Sequence, residues 1–173
     1  MFEHWDSFYL LLGGASGGLI GLVFIVVTLI RGVDARTNLR SGSVFMSPIV
    51  FHLATVLVLS ALATAPDLPW AAVGAIVGAS ALAGLVFAGR VIVMLGPSKA
   101  VRATHWSDIW AYGVVPALAY LVIAAAATDA WLAPDWTARV LAVGLVALLL
   151  GAIRNAWDLV TWITAKGDQL GKD

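Results

Sequence analysis

The sequence predicts an all-α membrane protein, a single bundle of five transmembrane helices. Three observations carry that expectation: an apolar-rich composition, five long apolar runs, and tryptophans and basic residues that sort to the ends of those runs. Of 173 residues, 61% are hydrophobic and 12% charged, with a mean hydropathy of +0.96. Soluble domains run at about 45–50% apolar and about 25% charged. A soluble fold of this size cannot hide so much apolar surface, so lipid is the expected solvent. The spans are then helical, because a segment in lipid must satisfy its own backbone groups.

A span needs about 20 apolar residues to cross roughly 30 Å of hydrocarbon. Five runs meet that need, over 8–30, 44–65, 69–95, 108–127 and 137–163, within one integral domain covering 1–173. The first run follows MFEHWDS, which is acidic where a secretory n-region is basic. The run is also longer than an h-region of about 7–15 residues, so the chain reads as mature from residue 1. RGVDARTNLRSGS separates runs one and two, and APDLP separates two and three. GPSKAVRATHWSD precedes the fourth run, which Ser107 or Asp108 would cap. TDAWLAPD precedes the fifth. Every break holds helix-ending residues.

Lys and Arg set the direction. Arg31, Arg36 and Arg40, then Lys99 and Arg102, then Lys166 and Lys172 fall on one side, with Arg90 and Arg154 near it. Arg139 alone falls opposite. The N-terminus is therefore expected outside and the C-terminus inside. Trp5, Trp70, Trp131 and Trp136 fall at the outer boundary, and Trp106, Trp110, Trp157 and Trp162 at the inner one. Indoles prefer such boundaries.

Zero net charge gives no basic footprint, so no nucleic-acid partner is expected. Cysteine is absent, which excludes disulfides, thiolate chemistry and cysteine-ligated metals. No phosphate-binding, metalloprotease, nucleophile-elbow or dinucleotide motif is present, so neither an enzyme nor a cofactor is expected. No metal site is expected.

The first run carries Trp5 and Phe8, then Gly13-Gly14-Ala15, then Leu19, Gly21, Leu22 and Phe24. This pattern resembles the first helix of a loosely defined group of bacterial multi-pass membrane proteins, with Ile25 where that group has valine. Some of its members are labelled as modulators of a membrane-bound protease. The resemblance covers about a sixth of the chain. It implies a bacterial inner-membrane protein and brings no catalytic residue. By their own physics, Gly13, Gly17 and Gly21 form one row and Gly14 and Gly18 another. Such rows let helix backbones approach closely. Packing within the chain, a homo-oligomer contact and a ligand groove are the three readings.

Pro48, Pro66 and Asp67 recur as Pro116, Pro134 and Asp135, each 68 residues later. This fits either a duplicated hairpin about an axis along the membrane normal or merely similar loop needs. Polar residues at membrane depth are functional candidates. If Pro48 is the first helical residue, His52 lies about 6 Å inside the inner edge. It would then join Arg90, Asp108, Arg154, Asn155 and Asp158 in the inner half. That set is either a neutral structural network or a proton or small-solute site, unless it fails to converge. Arg154 precedes Asp158 by four residues and can pair with it as an interfacial anchor, whereas Asn155 points about 100° away. Asp108, Tyr112, Pro116 and Tyr120 form a stripe on one face. His52 itself is read as hydrogen-bonded in the bundle, as proton-responsive, or as a haem ligand with His105. Two functions follow from these readings. One is a membrane protein acting by helix–helix contact, in a homo-oligomer or with another membrane protein. The other is a small transporter or channel for protons or a small solute.

Overall fold

In the computed structural model the described backbone comprises residues 4–31, 39–95, 109–132 and 134–170, with side chains described outside 27, 29–31, 39–47, 95 and 162–170. Five long helices make up these residues: α1 (Asp6–Arg31), α2 (Leu39–Thr64), α3 (Trp70–Leu95), α4 (Trp110–Leu132) and α5 (Thr137–Leu170). The first turn of α4, Trp110–Val114, is a π-helix that runs into α-helix at Val115–Leu132. Four stretches are long and apolar enough to cross a membrane: Asp6–Val26, Trp70–Met94, Trp110–Leu132 and Thr137–Thr161. The described apolar stretch of α2, Pro48–Thr64, is shorter.

Three helix ends differ from the expected spans. Helix α2 starts at Leu39 and not at 44, so Pro48 lies inside it. Helix α4 continues to Leu132 and not to 127. Here Asp129 does not break the helix, because its carboxylate accepts a 2.6 Å hydrogen bond from Thr137 Oγ1. The chain turns only at Pro134. Helix α5 runs to Leu170 and not to 163.

The two tight turns use different devices. Between α2 and α3, Asp67 sits at φ 54, a left-handed conformation that Asp tolerates better than most residues. The Pro69 carbonyl then accepts from Val73 N–H at 3.1 Å and begins α3. Between α4 and α5, the Thr137–Asp129 bond closes the turn, and the Trp136 carbonyl accepts from Val140 N–H at 3.0 Å.

Helices α2 to α5 form an antiparallel ring in chain order, with α2 diagonal to α4. Contact is most extensive between α3 and α4 and slightest between α2 and α3. Val56, Leu59, Val73, Val77, Ile123, Leu141, Leu145 and Leu148 fill the interior, each 1% exposed or less. Burying such a side chain is worth about 1.5–3 kcal/mol relative to water. In lipid that term fades, so close fit and polar bonds hold the helices together.

Helix α1 lies outside the ring, along α2. Its glycine rows divide the work. A Cβ built on Gly13 would meet Ser60 Cβ at 3.1 Å, and one on Gly17 would meet Leu57 at 3.9 Å. The same probe at Gly14, Gly18 and Gly21 meets nothing within 4 Å. Between the packed glycines, Ser16 Oγ donates to the Leu53 carbonyl at 2.6 Å. Near its start, the Tyr9 hydroxyl donates to the Ala138 carbonyl of α5 at 2.6 Å. Gly21 thus belongs to the outward row and not, as expected, to the row of Gly13 and Gly17.

Candidate functional site: two buried polar pairs

The candidate residues do not gather in one cluster. They form two layers at different depths, and some leave the interior altogether.

The deeper layer joins the diagonal helices. His52 of α2 is 1% exposed, and Tyr120 of α4 is fully buried. His52 Nδ1 and the Tyr120 hydroxyl share a 2.9 Å hydrogen bond. Thr55, one turn on, lies 3.3 Å from the same hydroxyl. The Thr55 proton goes to the Phe51 carbonyl at 2.9 Å, so the phenol is the donor toward Thr55. Apolar rings close the layer. Phe51 stacks on Phe87 of α3 at 4.5 Å, and Phe87 meets the imidazole edge-on at 6.2 Å. Gly84 of α3 leaves room for the Tyr120 ring, which a Cβ there would overlap.

His52 and Tyr120 each lie twelve residues from their helix ends at Thr64 and Leu132, about 18 Å along the axis. His52 is also thirteen residues past Leu39, about 20 Å from the other end of α2. The pair thus lies near the middle of both helices. The expected position, about 6 Å inside one edge, rested on Pro48 as a first helical residue. That reading fails because α2 begins nine residues before Pro48.

The second layer lies about 10 Å further from the Pro-Asp turns and joins α4 to α5. Asn155 is fully buried. Its Nδ2 donates to the Ala111 carbonyl at 3.1 Å, and the Tyr112 hydroxyl donates back to the Asn155 carbonyl at 3.2 Å. Tyr112 and Tyr120 were expected on one stripe. Tyr112 lies within the π-turn and Tyr120 beyond it, so Tyr112 addresses α5 while Tyr120 addresses α2.

The charged candidates face outward. Arg154 and Asp158 pair at 3.4 Å across one turn, with side chains 54% and 45% exposed. Arg90 is exposed on α3. Asp108 lies outside the described residues, as do His105 and Trp106. Among the described residues no three His, Asp or Glu side chains group as a metal site. Among the described residues, three buried side-chain atoms lack a hydrogen-bond partner: His52 Nε2, Ser60 Oγ and Asn155 Oδ1.

Two grooves are apolar and touch neither layer. One, of about 290 Å³, runs between Leu19, Leu22, Val23 and Val26 of α1 and Ile153, Ala156 and Trp157 of α5. The other, of about 420 Å³, lies between α3 and α4 near Gly74, Gly78, Thr128 and Trp131.

Sequence reasoning missed Thr55 and the Asp129–Thr137 clasp. A Thr one turn after His52 was the available signal for the first. For the second, the signal was an Asp inside a run of good helix formers. Comparison with protein-family models, with curated proteins and with solved structures finds no match for this chain.

Proposed function

We propose that the chain is a non-enzymatic subunit of a bacterial inner membrane. In this reading it crosses the membrane five times, N-terminus outside, and acts by helix–helix contact with a second copy or another membrane protein. The observation that carries this reading is the divided glycine surface of α1. The Gly13–Gly17 row already serves as a close-packing edge against α2. The Gly14–Gly18–Gly21 row has the same small-residue character and faces away from the bundle with nothing within 4 Å. Rows of this kind are how transmembrane helices associate where burial of apolar surface gives no drive. The apolar groove beside α1 extends that surface toward α5.

A proton or solute path has less behind it. His52 bonds to Tyr120, Asn155 bonds to Ala111, and Arg154 pairs with Asp158 on the outside. Arg90 is exposed, and the described grooves avoid His52, Tyr120 and Asn155.

The absence of cysteine makes the test clean. Single cysteines at Gly14, Gly18 and Leu22 on the outward face of α1, and at Ala83 on α3 as a control, would be oxidised in native membranes. The expected result is a disulfide-linked dimer from the α1 positions and none from Ala83. A site-specific photo-crosslinker at the same α1 positions reads a different partner. If the α1 positions crosslink no more than Ala83 by either method, the proposal fails.

A further inference from the structure

The first turn of α4 has an unusual backbone account. In the π register, Val115 N–H bonds to the Trp110 carbonyl. In an α-helix that N–H would instead go to the Ala111 carbonyl. The next donor in line for Ala111 is residue 116, which is proline and has no N–H. The Ala111 carbonyl is therefore orphaned by its own helix. It faces α5 from a half-buried residue, where an unpaired carbonyl is costly. Asn155 Nδ2 reaches it from α5 at 3.1 Å.

We infer that Asn155 is a register lock. Its amide replaces the N–H that Pro116 cannot supply, and so holds Trp110–Val114 in the π form against a competing α-helical form.

The α register would strand more polar groups than the π register. Asn155 Oδ1 is buried without a partner in the observed π form. In the α register Val115 N–H would satisfy Ala111, but the Tyr112 carbonyl, four residues before Pro116, would lose its donor. Asn155 Nδ2 would lose its acceptor as well, so the bond from Asn155 favours the π form. π-Turns inside α-helices are frequent at functional positions for this kind of reason.

The change would be local and large. Passing from π to α removes one residue from the turn, so each residue before it takes the place its predecessor held, a rotation of about 100°. Tyr112 would leave Asn155. Gly113 would leave Ile92, against which only a glycine fits, since a Cβ there would overlap the Ile92 side chain. Trp110, exposed at this end of the bundle, would turn with them. The register thus decides which side chains this end of α4 shows its surroundings. The inference is independent of the association proposed for α1.

The test is a double-mutant cycle on the full chain in detergent or bilayer, with register read separately. Asn155→Leu removes the donor. Pro116→Ala restores an N–H that satisfies either carbonyl and makes the lock unnecessary. Asn155→Leu is expected to lower the folding equilibrium constant about tenfold in the native background, the value of one buried bond. In the Pro116→Ala background it should lower it less than twofold. Register is read by maleimide labelling of single cysteines at 109, 110, 111, 112 and 114. The labelling pattern should move by one residue in Asn155→Leu and in the double variant. An equal cost of Asn155→Leu in the two backgrounds would overturn the lock. So would a labelling pattern that stays put in the double variant, which lacks the lock and has every donor of an α-helix, and that decides the matter alone if Asn155→Leu does not fold.

Discussion

Replacing Gly84 with alanine should destabilise the bundle although it improves the helix. Alanine is favoured over glycine in a helix interior by about 1 kcal/mol. Against that gain stands the Tyr120 ring, which a Cβ on Gly84 would overlap at several carbons. The ring is fully buried, and its hydroxyl is held by His52 Nδ1 at 2.9 Å. It cannot retreat without breaking that bond. Overpacking of a filled core costs about 1–3 kcal/mol. A lost interhelical hydrogen bond in a membrane adds about 0.6–1.7 kcal/mol. The penalties exceed the gain, so Gly84→Ala should lose roughly 1–3 kcal/mol. Gly89, in the same helix, has nothing within 4 Å of a built Cβ. Gly89→Ala should therefore be neutral or stabilising by up to about 1 kcal/mol. Reversible unfolding in mixed micelles, followed by tryptophan fluorescence, measures both. Tyr120→Leu in the Gly84→Ala background should recover part of the loss, because contacting residues couple. A Gly84→Ala protein as stable as wild type would refute the reasoning, and so would equal effects at the two glycines.

The remaining predictions test the polar contacts at the bundle's edges. Thr137→Val removes the donor to Asp129 across the α4–α5 turn and should cost about 1–2 kcal/mol by the same unfolding assay; Thr137→Ser, which keeps the hydroxyl, should retain most of that stability. Arg154→Ala breaks only an exposed pair within one helix and should change stability by less than about 0.5 kcal/mol. A larger loss there would mean that Arg154 turns inward.

Apolar runs reported the helices well, for a physical reason. Lipid leaves a spanning segment no alternative to helix, so apolar length alone predicts the element. It does not predict where the element stops. Asp129 and the residues before Pro48 looked like breaks, yet polar side chains at a span's end stay helical when they find a partner or reach water. The start of α2 was misplaced for that reason, and with it the count that set His52 near one end of its helix. Its mate Tyr120 was visible only as a member of a stripe, because unlike residues at an offset of 68 share no identity. The π-turn was illegible from local sequence. Pro116 advertises a lost bond, but the rescuing amide of Asn155 lies some 40 residues away and arrives only on folding. Arg154 and Asp158 pair as their four-residue spacing implies, and their exposure is why the pair needs no function.

The proline offset of 68 has a spatial meaning that loop needs alone do not explain. Seven positions of α3 are buried, and adding 68 to six of them, Val73, Gly74, Val77, Ala81, Gly84 and Val91, gives buried residues of α5, whereas the mate of Ala88, Ala156, is half-buried. Helices α2 and α4 end at Thr64 and Leu132, again 68 apart. His52 and Tyr120 are also 68 apart and touch each other, as a two-fold axis passing between α2 and α4 would require. The arrangement is unequal in two places, and side-chain size explains the first. Phe51 and Phe87 stack between α2 and α3, where their mates between α4 and α5 are Ala119 and Asn155. The rings hold the first hairpin open, whereas a Cβ on Gly144 would stand 2.6 Å from Ile123 in the second. Helix α1 makes the second inequality. It covers Leu53, Ser60 and Ala63 of α2, while the mates on α4, Leu121, Thr128 and Trp131, face outward. The fifth helix therefore gives a near-symmetric ring two different sides, a glycine-edged one and a bare one.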